Sequence, residues 1–334
     1  MQYKNRLFVV VTAFAFFFST SVMVTSAIAK PIKNGFDLEN SIIPVKEILN
    51  GGPPRDGIPS IDKPTFLNAD DADYLKDSDR ILGIVLEQEG QKGKEEARAY
   101  PIKVLNWHEI VNDEISGKAV AVTYCPLCGS GIVYAADFEG KAHKFGVSGL
   151  LYNSDVLLFD RQTETLWSQI LSKGVSGKWV NKKLKVIQSA HTSWASWKAQ
   201  YPDTKVLSND TGFDRDYNRS PYGTYDKDVS TYFPVAFKSK RYHPKERVLG
   251  ITINDKQKVY PFAELSKYFA ETKESKLIDT FEGQELTLEF DSENRDGSFK
   301  NSNGEGVTST NTFWFAWYAF HPEAEIYKFK KSSK

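Results

Sequence analysis

The chain has 334 residues, with 43 basic and 43 acidic side chains, five histidines and two cysteines. Hydrophobic residues at 40% and charged residues at 26% are globular proportions and exclude wholesale disorder. A formal net charge of zero leaves no overall basic field for a nucleic-acid backbone, and two cysteines exclude a disulfide-dense scaffold.

At the N-terminus, Lys4 and Arg6 precede the apolar run 7–18, and Ala27-Ile28-Ala29 offers a small-residue cleavage pattern before Lys30. A positive segment, a short apolar segment and such a site are the three parts of a secretory signal peptide, read here as residues 1–29. An uncleaved anchor over residues 7–28 is the alternative. No second apolar stretch long enough to span a bilayer follows, so the reading is a periplasmic or secreted protein with no membrane span after cleavage. Both methionines, Met1 and Met23, leave with the signal. The two cysteines then sit in an oxidising compartment.

Residues 30–75 are rich in Pro, Gly and Asp and read as an extended lead-in with one short helix at 44–49. Short strands follow at 81–87, 97–104, 118–124, 131–135, 156–159, 178–180 and 185–189, with short helices at 104–112 and 194–201. Residues 208–239 read as a long aromatic and Asp-rich loop, either a cover over a site or a packed connector. Asp210, Asp214 and Asp216 within it do not have the spacing of a calcium loop. An internal echo links Arg80-Ile81-Leu82-Gly83-Ile84 to Arg247-Val248-Leu249-Gly250-Ile251, and each is followed by Tyr-Pro, at Tyr100 and Tyr260. This predicts an α+β fold, predominantly β, with short mixed or antiparallel strands and a few short helices in two related lobes. The first lobe, 76–207, carries the chemistry; the second, 240–334, is structural.

The sharpest motif is Tyr124-Cys125-Pro126-Leu127-Cys128-Gly129-Ser130-Gly131. Two thiols three positions apart in a Pro/Gly turn present both sulfurs to one point, a geometry that suits three chemistries. Thiolates are soft ligands for zinc or copper, and with no further Cys the remaining ligands must be His, carboxylate or water. His108, next to Glu109, is the first candidate third ligand. A redox pair normally opens a helix, whereas Gly129 to Tyr134 reads as strand. A structural disulfide, or two packed thiols, is the third reading.

Other polar residues stand out along the first lobe. Asn106, His143, Ser148, Asn153, Asp155, Trp167, Gln169 and His191 are candidates for a pocket. Asp160 and Arg161 flank an apolar strand and need partners, with Glu109 or Glu164 offered for an ion pair. Ser148 and Ser130 lack the spacing of a hydrolase nucleophile elbow. Trp167, Trp194 and Trp197 suit the core, and His243 and His321, each beside a Pro, suit the surface.

The segments YPIKVLNWHEIVND (100–113), AVTYCPLCGSGIVY (121–134), FGVSGLLYNSDVLLFDRQTETLWSQ (145–169) and DRDYNRSPYGTY (214–225) resemble a widespread family of exported bacterial and archaeal proteins catalogued as a domain of unknown function. The resemblance covers roughly residues 60–300 and implies no activity, cofactor or substrate. It implies a family pattern at Asn106, His108, Glu109, Asn112, Asp113, Cys125, Cys128, Ser148, Asn153, Asp155, Asp160, Arg161, Trp167 and Gln169, which for so many polar residues points to a site.

Together these observations predict an exported metal-binding protein or metalloenzyme. It would hold one zinc or copper ion on Cys125, Cys128 and His108, with Glu109, Asp160 and Arg161 as catalytic candidates. A binding or scaffold module with a structural disulfide, or a periplasmic thiol-disulfide oxidoreductase, are the alternatives. The partner would be a small molecule or a periplasmic protein.

Overall fold

A computed structural model describes residues 30–331 apart from residues 89 and 92, so the predicted signal peptide lies outside the described residues. The fold is mixed α/β with more strand than helix. Strand Arg80–Glu87 pairs antiparallel with Glu95–Pro101. Pro101 has no amide to pair and a fixed φ of −65°, so the strand passes directly into the helix Ile102–His108. Glu109 closes that helix in the left-handed conformation, and the hairpin Ile110–Ile115 with Lys118–Cys125 follows, then the strand Ser130–Ala135. Much later, Ala190–Ser193 leads into the helix Trp194–Gln200, whose N-cap Ser193 accepts from the Ser196 amide. Strand Lys205–Leu207 then returns parallel to Glu95–Pro101.

The same order recurs from Arg247. Strands Arg247–Ile253 and Lys256–Pro261, the helix Phe262–Thr272 with its left-handed cap Lys273, and the strands Leu277–Phe281, Gln284–Asp291 and Asp296–Asn301 repeat it step for step. Strand Ser309–Phe313, helix Trp314–Phe320 and the parallel return Glu325–Ile326 complete it. Side chains repeat as well: the Tyr100 hydroxyl donates to Asp113 and the Tyr260 hydroxyl to Asp279. The two halves share an eight-stranded sheet, in which Ser309–Phe313 of the later half lies beside Ser130–Ala135 of the earlier one.

The first half differs by an insertion. Strands Phe145–Tyr152, Asp155–Asp160, Leu166–Ser168 and Lys173–Ser176 form a further sheet, edged by Leu49–Asn50 from the lead-in. Three of its strands are buried along nearly their whole length, so they read as continuous apolar runs rather than alternating ones.

Several elements differ from the sequence-based boundaries. The predicted helix 104–112 ends at His108, because Glu109 takes φ 57° and the β-branched Ile110 and Val111 pair with Thr123 and Val122. The predicted strand 97–104 stops at Pro101, where the helix begins. Residues 178–180 are a turn, set by Gly177 at φ 102° and the bond from the Val180 amide to the Gly177 carbonyl. The predicted short helix at 44–49 is a single 3-10 turn, Val45–Glu47. His321 is half-buried against Trp317, with ring centroids 4.5 Å apart, rather than a surface residue. Among the described residues no helix is long and apolar enough to cross a membrane.

Candidate metal centre

Two hairpin tips meet at the buried centre of the first half. One is the cysteine turn. Cys125 ends a strand and pairs with Ser130, so the chain must reverse within Pro126 to Gly129. Pro126 presets the turn, the Cys128 amide donates to the Cys125 carbonyl at 3.2 Å, and Gly129 takes φ 61°. A Cβ on Gly129 would lie 2.8 Å from the Phe313 ring, so only glycine allows that ring to close over the turn. The other tip is the two-residue loop Asn153-Ser154, with φ 51° and 66°, which joins Tyr152 to its partner Asp155. Two consecutive positive φ values give the hairpin turn that matches strand twist, and Asn favours it.

This arrangement brings the Cys125, Cys128 and Asp155 ligand atoms within 4.8 Å of one another, all buried. The Ser154 carbonyl oxygen lies 3.4 Å from Cys128 Sγ and 3.9 Å from Cys125 Sγ. The two sulfurs are not bonded to each other. Asp155 accepts the Ile170 amide on Oδ2 at 3.0 Å, and its buried carboxyl otherwise faces the Cys125 and Cys128 thiols, which can donate to it. Burial pushes Asp155 up to about 7, raises Cys125 and raises Cys128 well above the usual thiol range. An ionised carboxylate buried beside two thiols is costly unless a cation completes the cluster.

Glu109 stands at the edge of the cluster. Its carboxyl accepts the Tyr222 hydroxyl at 2.9 Å, and burial raises it to about 7, with Asp155 adding to the shift. Tyr222 and Tyr225 belong to the 208–239 loop, which therefore lies over this centre. Lys245 sits 3.7 Å above the Tyr225 ring and donates to the Ser230 carbonyl at 2.6 Å, tying the loop to the later half. A cavity of about 390 Å³ adjoins the cluster, lined by Glu109, by Leu127 from between the cysteines and by Val156 next to Asp155.

The structure separates the other candidates from this cluster. His108 is not one of its members: Nδ1 donates to the Pro59 carbonyl at 2.8 Å and Nε2 accepts the Tyr217 hydroxyl at 2.7 Å, a neutral ring whose pKa burial lowers. Asp155, not His108, lies with the two cysteines. Asp160 accepts the Thr163 amide at 2.7 Å and Trp167 Nε1 at 3.1 Å. Arg161 makes a two-pronged pair with Asp56 at 2.9 Å, not with Glu109 or Glu164, and Glu164 pairs with Arg55 instead. His143 stacks on Phe138 at 3.6 Å, and Ser148 Oγ bonds within its own sheet to the Leu157 carbonyl. Asn106 lines a smaller adjoining cavity of about 210 Å³. His191 is buried with no partner on either nitrogen, and burial holds it well below its usual range.

Two residues hold the centre in place. Gln169 accepts Ser130 Oγ at 2.6 Å and donates to Thr123 Oγ1 at 2.8 Å, locking the cysteine hairpin to the inserted sheet. Asn153 accepts the Ala236 amide at 2.8 Å and donates to the Ala319 carbonyl at 3.3 Å, fixing the second tip from two directions. Sequence reasoning did not find Tyr222 or Tyr225; their signal is the clustering of aromatic residues in a loop otherwise rich in Asp and Gly.

Residues 55–324 match the family model described as protein of unknown function, DUF3179, and the chain belongs to that family. No curated protein and no solved structure matches the chain.

Proposed function

We propose that this is an exported metal-binding protein in which Cys125, Cys128 and Asp155 hold one transition-metal ion, with Glu109 placed to carry a proton beside it. The carrying observation is the convergence of one buried carboxyl and two buried, unbonded thiols on a single point. A tetrahedral zinc site sets thiolate sulfurs ~3.8 Å apart, so ligand atoms within 4.8 Å need only small side-chain adjustment. Two thiolates and a carboxylate bring three negative charges, which a divalent ion offsets better than cuprous copper does. The hard carboxylate oxygen also favours zinc over a soft ion. Three protein ligands leave zinc with an open position, the arrangement found in catalytic sites. Against the oxidoreductase reading stands the direction of both thiol shifts, since a redox nucleophile needs a thiol pKa lowered, and here burial raises it.

The test is metal analysis of the protein purified from its export compartment, followed by titration with Zn²⁺ and with Co²⁺ as a spectroscopic stand-in. About one zinc per chain is expected, with a thiolate-to-cobalt charge-transfer band on substitution. Cys125→Ser and Asp155→Asn should each weaken binding by about tenfold or more, and His108→Ala should leave it intact. Full occupancy in both ligand variants, or no binding by the unaltered protein, overturns the reading.

A further inference from the structure

We infer that the cavity beside the cysteine turn is a binding site for a small, uncharged, mainly apolar molecule that offers one hydrogen-bond donor to Glu109. The inference rests on the proposed metal site only for what acts on that molecule; its binding does not depend on the metal.

The volume of about 390 Å³ falls in the range of small-molecule sites. Its walls come from four separate parts of the chain: Ile58 in the lead-in, Leu127 and Val156 at the two hairpin tips, and Tyr222 and Phe233 in the long loop. These side chains supply aliphatic and aromatic surface. Among the described residues its one carboxyl is Glu109, and no Lys, Arg or His lines it. In the metal-free protein an anionic ligand would enter a space with no counter-charge, next to Glu109 and Asp155, and would lose its hydration without return. A neutral molecule avoids that cost and gains from apolar burial.

Glu109 supplies the orienting contact. Glu109 caps the helix at φ 57°, and the Tyr222 hydroxyl holds its Oε1 at 2.9 Å. No hydrogen bond reaches Oε2 among the described residues, so this oxygen is left to accept from a hydroxyl or amine on the ligand. Leu127 and Val156 each neighbour a cluster residue in the chain, so a molecule held here lies against the same two tips that carry the thiols and Asp155.

The experiment uses two fluorescent probes with one skeleton. N-phenyl-1-naphthylamine is neutral and carries a single N–H donor; 8-anilinonaphthalene-1-sulfonate adds one negative charge. The full-length mature protein is titrated with each, with and without chelator, and its metal content is measured in parallel. Saturable binding of the amine at about one site per chain is expected, with the sulfonate weaker by about tenfold or more. Ile58→Trp, which fills the space from a half-buried position, and Phe233→Ala, which removes a wall in the loop, should each weaken the amine by about fivefold or more. Ile278→Ala, an exposed residue outside the cavity, should leave it unchanged. Thermal unfolding verifies that each variant is folded, and Phe233→Ala retains the test if Ile58→Trp does not fold. Equal binding of both probes, no saturable binding, or binding indifferent to both cavity variants overturns the inference. Probe binding with no metal in the protein removes the metal reading and leaves this one standing.

Discussion

Glu109 combines a left-handed backbone with a buried carboxyl, two features that each carry an energetic cost. Burial raises its pKa from 4.5 to about 7. Between those values the folded chain binds more protons than the unfolded chain, so this group makes stability fall as pH rises from about 4.5 to about 7, with no further loss above. Glu109→Gln cannot ionise, yet keeps an acceptor oxygen for Tyr222. In metal-free protein the variant should match the unaltered chain below pH ~4.5 and exceed it above pH ~7 by about 3 kcal/mol. Urea unfolding at a series of pH values measures this, and parallel stability curves would refute it. The same residue shows where sequence reading reached its limit. The pair His108-Glu109 reads as a ligand beside a base, and Glu109 does border the cluster. His108 points instead to Pro59 and Tyr217, partners set by the lead-in and the loop and invisible to local spacing. Asp155 stood out only as a pocket residue, because its nearness to the cysteines depends on an inserted hairpin meeting the cysteine turn.

At the scale of elements, the echo between Arg80–Ile84 and Arg247–Ile251 marks a shared packing device. Gly83 lies under Trp197 and Gly250 under Trp317; an added Cβ would fall 2.3 Å and 2.1 Å from those rings. Each indole also packs on an aromatic side chain four residues on, Tyr201 at 4.4 Å and His321 at 4.5 Å. The rings are therefore held from both sides and cannot swing away. Gly83→Ala and Gly250→Ala should each cost about 1–3 kcal/mol through overpacking, seen as a lower urea midpoint at unchanged slope. A cost near zero at either position would mean that its indole is free to move. Periodicity and turn residues made the strands near 81–87, 118–124, 131–135 and 156–159 and the helix 194–200 legible, but not the strands Ile110–Ile115 and Phe145–Tyr152. Its errors came where one backbone dihedral overrides local pattern: the positive φ of Glu109 and Gly177, and the missing amide of Pro101.

Across the whole molecule, the half without cysteines clamps the half that has them. Arg247 donates to the Gly129 carbonyl at 2.6 Å, the Phe313 amide to the Cys128 carbonyl at 2.8 Å, and Thr312 Oγ1 to the same oxygen at 2.8 Å. The reverse clamp also exists: Arg80 donates to the carbonyls of Asn294 and Arg295 in the equivalent turn of the later half. Each half thus fixes the other's turn, and the insertion that brings Asp155 faces only one of the two. A turn held by buried hydrogen bonds presents its thiols at a set spacing, and outer contacts of this kind govern metal affinity as well as stability. Arg247→Met keeps much of the buried side-chain bulk over the Phe313 ring but removes the donor to Gly129. On the proposed metal reading it should lower zinc affinity by about 10–100-fold, while Cys125, Cys128 and Asp155 all remain. Competition against a chelator of known affinity measures the change, and unaltered affinity in a folded variant would make the later half a passive support.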